Sequence, residues 1–217
     1  MGVLNECYRQ PRPDAVEFQR LTLCNVDQYL HLFSFARDSR GIDPLTILRG
    51  AKRNNLIVLA GVGWGTSVKA FEQVIHQYDL PIGPKNVECV EPDREAINDL
   101  IKIGRPHNYF PVTMEGYFQK FIDGKSSSQK ILAVLGLNVP GLEVVVETGK
   151  VMGAYPEIFA PDAFALFLTS QDNYDLFFPD DFGDYLDWAY NSPGPFPRVV
   201  FGKTDQDRQR SQYIFVL

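Results

Sequence analysis

The first unbroken apolar run, Leu56-Ile57-Val58-Leu59-Ala60, ends on three alternating glycines, Gly61, Gly63 and Gly65. Five consecutive apolar residues suit a strand buried on both faces, as in a parallel sheet covered by helices. Upstream, apolar residues at helical spacing predict two helices, Asp14–Leu23 and Asp27–Ala36, with Asp27 capping the second. Asp43-Pro44 predicts a further helix to about Lys52, with Asp at the cap and Pro in the first turn. After the glycines, Val68, Phe71, Ile75 and Tyr78 mark a helix that Thr66 or Ser67 can cap. A second strand is expected over Asn86–Glu91. The next helix is capped by Asp93, has Ile97, Leu100 and Ile101 on its inner face and closes at Gly104. A strand near Tyr109–Thr113, a short helix over Glu115–Phe121, a strand over Lys130–Leu135, a long helix over Leu142–Tyr155 and a strand over Ala163–Thr169 follow. A short helix is expected over Phe182–Tyr190. Arg198–Phe201 and Gln212–Leu217 predict a terminal hairpin with a long polar tip.

Strand–helix alternation implies a largely parallel sheet with helices on both faces, and the hairpin forces at least one antiparallel strand into it. Residues 1–42 read as an N-terminal arm and helices, and 43–217 as the α/β domain proper. With 217 residues and 45% hydrophobic content, the chain can bury a substantial core. The net charge of −6 sits in one place, because residues 171–190 hold six aspartates and no Lys or Arg, among seven aromatics. That segment reads first as an amphipathic helix and loop packing its rings inward. It would also suit a lid for a cationic substrate or a partner-binding surface. No basic face is evident, which argues against a nucleic-acid backbone as partner. No run of 18 apolar residues is present, so no membrane span is expected, and Met1–Arg12 does not read as a signal peptide. Cys7, Cys24 and Cys89 lack paired spacing and read as reduced thiols of a cytoplasmic protein. His31, His76 and His107 are scattered, and no metal is expected.

A strand, a glycine turn, a helix and a second strand ending on Glu91 is how an α/β sheet holds a nucleoside-bearing ligand. The nicotinamide fingerprint Gly-x-Gly-x-x-Gly or Ala does not fit, since its sixth position would be Thr66 or Val68. With Gly61, Gly63 and Gly65, Glu91-Pro92-Asp93 and the terminal hairpin, the chain resembles the class I S-adenosylmethionine-dependent methyltransferase family. The resemblance covers roughly residues 43–217. It implies a three-layer α/β/α sandwich with a mostly parallel seven-stranded sheet and a C-terminal antiparallel β-hairpin. It implies S-adenosyl-L-methionine as cofactor and a small-molecule or protein methyl acceptor. Gly61, Val62, Gly63 and Gly65 would then pass under the amino-acid part of the donor. Glu91, with Pro92, would hold the ribose. Met114 and Glu115 fall where the family contacts adenine; otherwise Met114 is core and Glu115 caps its helix. Gly136 to Gly141 would lie beside the methyl group, with Asn138 the candidate catalytic residue. Asn138-Val139-Pro140-Gly141 also fits a plain turn, and it lacks the aromatic of amino-directed family members. The family's acid two residues before the first glycine is Leu59 here. A methyltransferase-fold interaction module without activity and an aminopropyl transferase are the alternatives.

Overall fold

The computed structural model describes residues 12–102, 107–124, 128–137, 142–170, 200–207 and 210–217. A 26-residue helix α1 (Ala15–Arg40) opens it, with the Asp14 side chain accepting from the Glu17 N–H and Gly41 ending the helix in the left-handed region. The two expected helices are thus one, and Asp27 is mid-helix rather than a cap. No glycine or proline lies between Ala15 and Arg40 to break the ladder. Helix α2 (Pro44–Arg49) begins as expected, with Asp43 at its cap. Then alternate strands β1 (Asn55–Ala60), β2 (Val87–Val90), β3 (Asn108–Phe110), β4 (Lys130–Leu137) and β5 (Phe159–Ser170) with helices α3 (Thr66–Gln77), α4 (Arg94–Lys102), α5 (Met114–Asp123) and α6 (Leu142–Ala154). The chain ends in β6 (Val200–Asp207) and β7 (Arg210–Val216).

The strands form one sheet in the order β3-β2-β1-β4-β5-β7-β6. The pairs from β3 to β5 are parallel, and β7 runs antiparallel to both β5 and β6. The polar stretch expected as a long hairpin tip is itself strand, paired as far as Asp207 against Arg210. Polar residues are tolerated at a sheet edge, where one side of the strand has no neighbour.

Alternation along β1 divides the core. Ile57 and Leu59 face a cluster built with Tyr29, Leu32 and Phe33 of α1, Phe71 of α3 and Leu100 of α4. Leu56, Val58 and Ala60 face the other cluster, with Tyr117 and Phe118 of α5 and Val145 and Val151 of α6. Helix α1 therefore packs into the same core as the sheet. Ile101 is 54% exposed and does not join the inner face of α4, which is formed by Ala96, Ile97 and Leu100. Helix α5 docks partly through a polar contact, since the buried Glu88 carboxylate of β2 accepts from Tyr117 Oη at 2.6 Å and from Lys120 Nζ at 3.3 Å. Burial, and then the Glu88 charge, push the Tyr117 phenol above its ordinary range.

Candidate functional site

Strand order reverses between β1 and β4. The C-terminal ends of parallel strands on either side of such a point form a crevice suited to ligands. The glycine turn leaves β1 there, Glu91 follows β2, and Gly136 lies near the end of β4, paired with Ala60. Gly61, Gly63 and Gly65 all adopt positive φ, at 64°, 48° and 87°. A side chain at either of the last two would be strained, but for different reasons. A Cβ on Gly63 would meet nothing within 4 Å among the described residues, so the backbone there borders open space. A Cβ on Gly65 would lie 2.3 Å from Leu100 Cδ2, so that glycine lets α4 close against the turn.

Glu91 holds the turn from the side of β2. Its Oε2 accepts the Gly63 N–H at 2.8 Å and its Oε1 accepts the Asp93 N–H at 3.0 Å. Its own N–H donates to the Phe110 carbonyl at 3.1 Å, and the Gly61 N–H donates to the Val90 carbonyl at 2.9 Å. The carboxylate is thus locked to the two segments it separates. Burial pushes its pKa up, and the Asp93 charge adds to this, against the two backbone donors that favour the ionised form. An ionised carboxylate offers about four acceptor sites. Two are taken by backbone, which leaves acceptor capacity for a ligand's hydroxyls.

Asp93 Oδ1 accepts from the Glu95 N–H at 2.8 Å, at the start of α4. Helix α3 starts differently from expectation. Gly65 occupies its cap without a side-chain bond, so neither Thr66 nor Ser67 caps it. Thr66 Oγ1 instead accepts from the Asn25 amide nitrogen of α1 at 3.0 Å. Asn25 is the residue at this turn that sequence reasoning missed. Its only sequence signal is an amide within a mostly apolar helix face.

The remaining expected site residues fall into three groups. Val62 is buried in the core cluster of α1 and α3, so only its backbone lines the turn. Pro92 and Glu115 are exposed, whereas Met114 is buried with Tyr117 and Phe118. Thr113, not Glu115, caps α5, its side chain accepting the Gly116 N–H at 3.3 Å. Asn138 and the segment 171–190 lie outside the described residues. Leu59 is 1% exposed, in register with Cys89 and Leu135, and its side chain belongs to the core. No group of three or more acids, histidines or cysteines arranged for a metal occurs among the described residues, and no described helix is long and apolar enough to cross a membrane.

No protein-family model matches the chain, and no curated protein matches it in sequence. Solved structures do. Fibrillarin from Aeropyrum pernix, in complex with natively bound S-adenosyl-L-methionine, is 14% identical over 79% of this chain and 72% of its own, with a TM-score of 0.44. The plantazolicin methyltransferase BpumL in complex with SAH (S-adenosylhomocysteine) is 12% identical over 94% of this chain and 90% of its own, with a TM-score of 0.46. TrmN from Thermus thermophilus is 13% identical over 79% of this chain and 46% of its own, with a TM-score of 0.44.

Proposed function

We propose that the chain is an S-adenosylmethionine-dependent methyltransferase of the class I type, acting on a small molecule or a protein side chain. One observation carries the reading. Glu91 directly follows β2, keeps free acceptor capacity and holds the N–H of Gly63, the glycine that borders open space among the described residues. A nucleoside whose ribose meets Glu91 would thus lie alongside the turn. The sheet order, with β7 antiparallel beside β5, fits the same architecture. The three positive-φ glycines fit the close backbone approach that such a ligand needs.

The donor, when bound, supplies an already activated methyl. The chain's own residues would bind, orient and exclude water, which is most of what an in-line displacement asks of a protein. Glu91 would accept from the ribose hydroxyls. The backbone from Gly61 to Gly65 would run under the amino-acid part, and Met114 and Glu115 would border the base. Gly136 would border the methyl-bearing part of the donor, and Asn138 is the candidate residue for the acceptor. The buried Leu59 offers no charge to the donor's ammonium, so affinity would depend more heavily on the nucleoside end. Among the described residues nothing lies within 4 Å of a Cβ placed on Gly63, which fits a turn left open to a cofactor.

Isothermal titration with SAH tests the reading directly. Saturable binding to the wild-type chain, weakened roughly tenfold or more in Glu91→Ala, is expected from the loss of charge-assisted hydrogen bonds. No heat at millimolar SAH would overturn it. Labelled methyl transfer from the donor into a cell extract would then narrow the acceptor.

A further inference from the structure

We infer that Asn25 is a positioning residue for the glycine turn, tying α1 to the start of α3 through Thr66; the inference rests on the turn being the cofactor site. Asn25 is 6% exposed, on a buried helix face that it shares with Thr22, Val26, Tyr29, Leu32, Phe33 and Ala36. An amide buried at such a place is costly unless it is bonded, and an apolar residue would pack there more cheaply. The amide spends its bond on Thr66 Oγ1, 41 residues away in sequence.

Thr66 is where a restraint is needed. A helix usually fixes its entry with a Ser, Thr, Asp or Asn side chain at the cap. Here the cap is Gly65, at a φ of 87° and with no side chain to give. The orientation of the first turn of α3 must be set from elsewhere, and Asn25 sets it from a different element. Other contacts act in the same direction. Arg12, just before α1, pairs with Asp99 of α4 at 2.9 Å, and the neighbouring Leu100 packs beneath Gly65. Helices α1 and α4 therefore brace the turn from one face of the sheet, while Glu91 holds it from β2. Asn25 acts through Thr66, and its effect on a ligand would be indirect.

The variants Asn25→Ala, Thr66→Val, their double mutant and Thr66→Ser separate positioning from stability. Binding of SAH is measured by calorimetry well below each melting temperature. Asn25→Ala and Thr66→Val should each weaken binding roughly three- to tenfold, the range expected for one lost hydrogen bond. The double mutant should be no worse than either single change, because both remove the same bond. Thr66→Ser, which keeps the hydroxyl, should recover the affinity lost in Thr66→Val. Unchanged affinity in the single variants, or additive losses in the double, would overturn the inference even if the melting temperature falls. Should wild type bind no SAH, the cofactor reading fails and the turn itself decides. Trp64, between Gly63 and Gly65, becomes the sole tryptophan in a Trp188→Phe background. An emission shift in Asn25→Ala and Thr66→Val, but not in Thr66→Ser, would uphold the bracing of the turn; unchanged emission would sink it.

Discussion

Glu91 carries two tasks whose pH dependences oppose each other. Its carboxylate is pushed above the ordinary range chiefly by burial, so the folded chain holds that proton more tightly than the unfolded chain does. The group's contribution to stability is therefore fully present below the unfolded pKa and is lost as pH rises through the folded one. Ligand hydroxyls need the ionised acceptor, so affinity for SAH should rise over the same interval, from the usual carboxylate range upward. Calorimetric titrations across this range check the point, with Glu91→Gln as the comparison. Gln offers one oxygen for two backbone donors, so it should lose both affinity and the pH dependence. The glycines make a second prediction at this scale. Gly63→Ala meets only the left-handed backbone cost of about 1–2 kcal/mol. Gly65→Ala meets that cost and, in addition, Leu100 at 2.3 Å, an overpacking term of about 1–3 kcal/mol. Urea unfolding should thus rank Gly65→Ala as clearly the less stable of the two; equal losses would show that Leu100 moves aside freely.

Among the elements, β1 and its glycine turn were legible because each has a strong local signal: an unbroken apolar run, then residues that suit positive φ; the second strand was found too, though it ends at Val90, one residue before Glu91. The parallel α/β character followed from the alternation of such runs with helical spacing. What sequence missed depended on contacts distant along the chain. Asn25-Val26-Asp27 looks like a boundary between two helices, because Asn and Asp favour caps and turns. In the fold Asn25 spends its amide on Thr66, Val26 is buried, and the helix runs through without a break. Thr66 looks like a cap for the same local reason, yet its hydroxyl serves α1 instead. Ile101 looks like part of an inner face, but α4 already turns Ala96, Ile97 and Leu100 inward, and Ile101 falls outside that stripe. The polar stretch Lys203–Asp207 looks like a loop, and only its pairing with β7 reveals a strand. Leu59 is the instructive case at the site. Against a family pattern it reads as a missing acid. In the fold it is a core residue between Cys89 and Leu135, facing the cluster that seats α1.

At the scale of the molecule, the candidate site joins parts that are far apart in sequence. The turn after β1, the carboxylate after β2 and Gly136 near the end of β4 meet across the point where strand order reverses. Helix α1 reaches the same turn through Asn25. A ligand bound there would contact or restrain elements from most of the sheet, and both core clusters are built on that one sheet. Ligand binding should therefore appear as global stabilisation rather than local tightening. At a free SAH concentration one hundred times its dissociation constant, the linkage amounts to about 2.7 kcal/mol. For a chain of 217 residues this corresponds to a rise in melting temperature of about 5–10 °C. Scanning calorimetry over a series of SAH concentrations should show a single transition that moves upward with the logarithm of concentration. Glu91→Ala at the same concentrations should move by about half as much or less, because tenfold weaker binding leaves about 1.4 kcal/mol of linkage. Two transitions, only one of which shifts, would mean that the ligand reports on a part of the fold rather than on the whole. A shift equal in wild type and Glu91→Ala would place the SAH site away from the glycine turn.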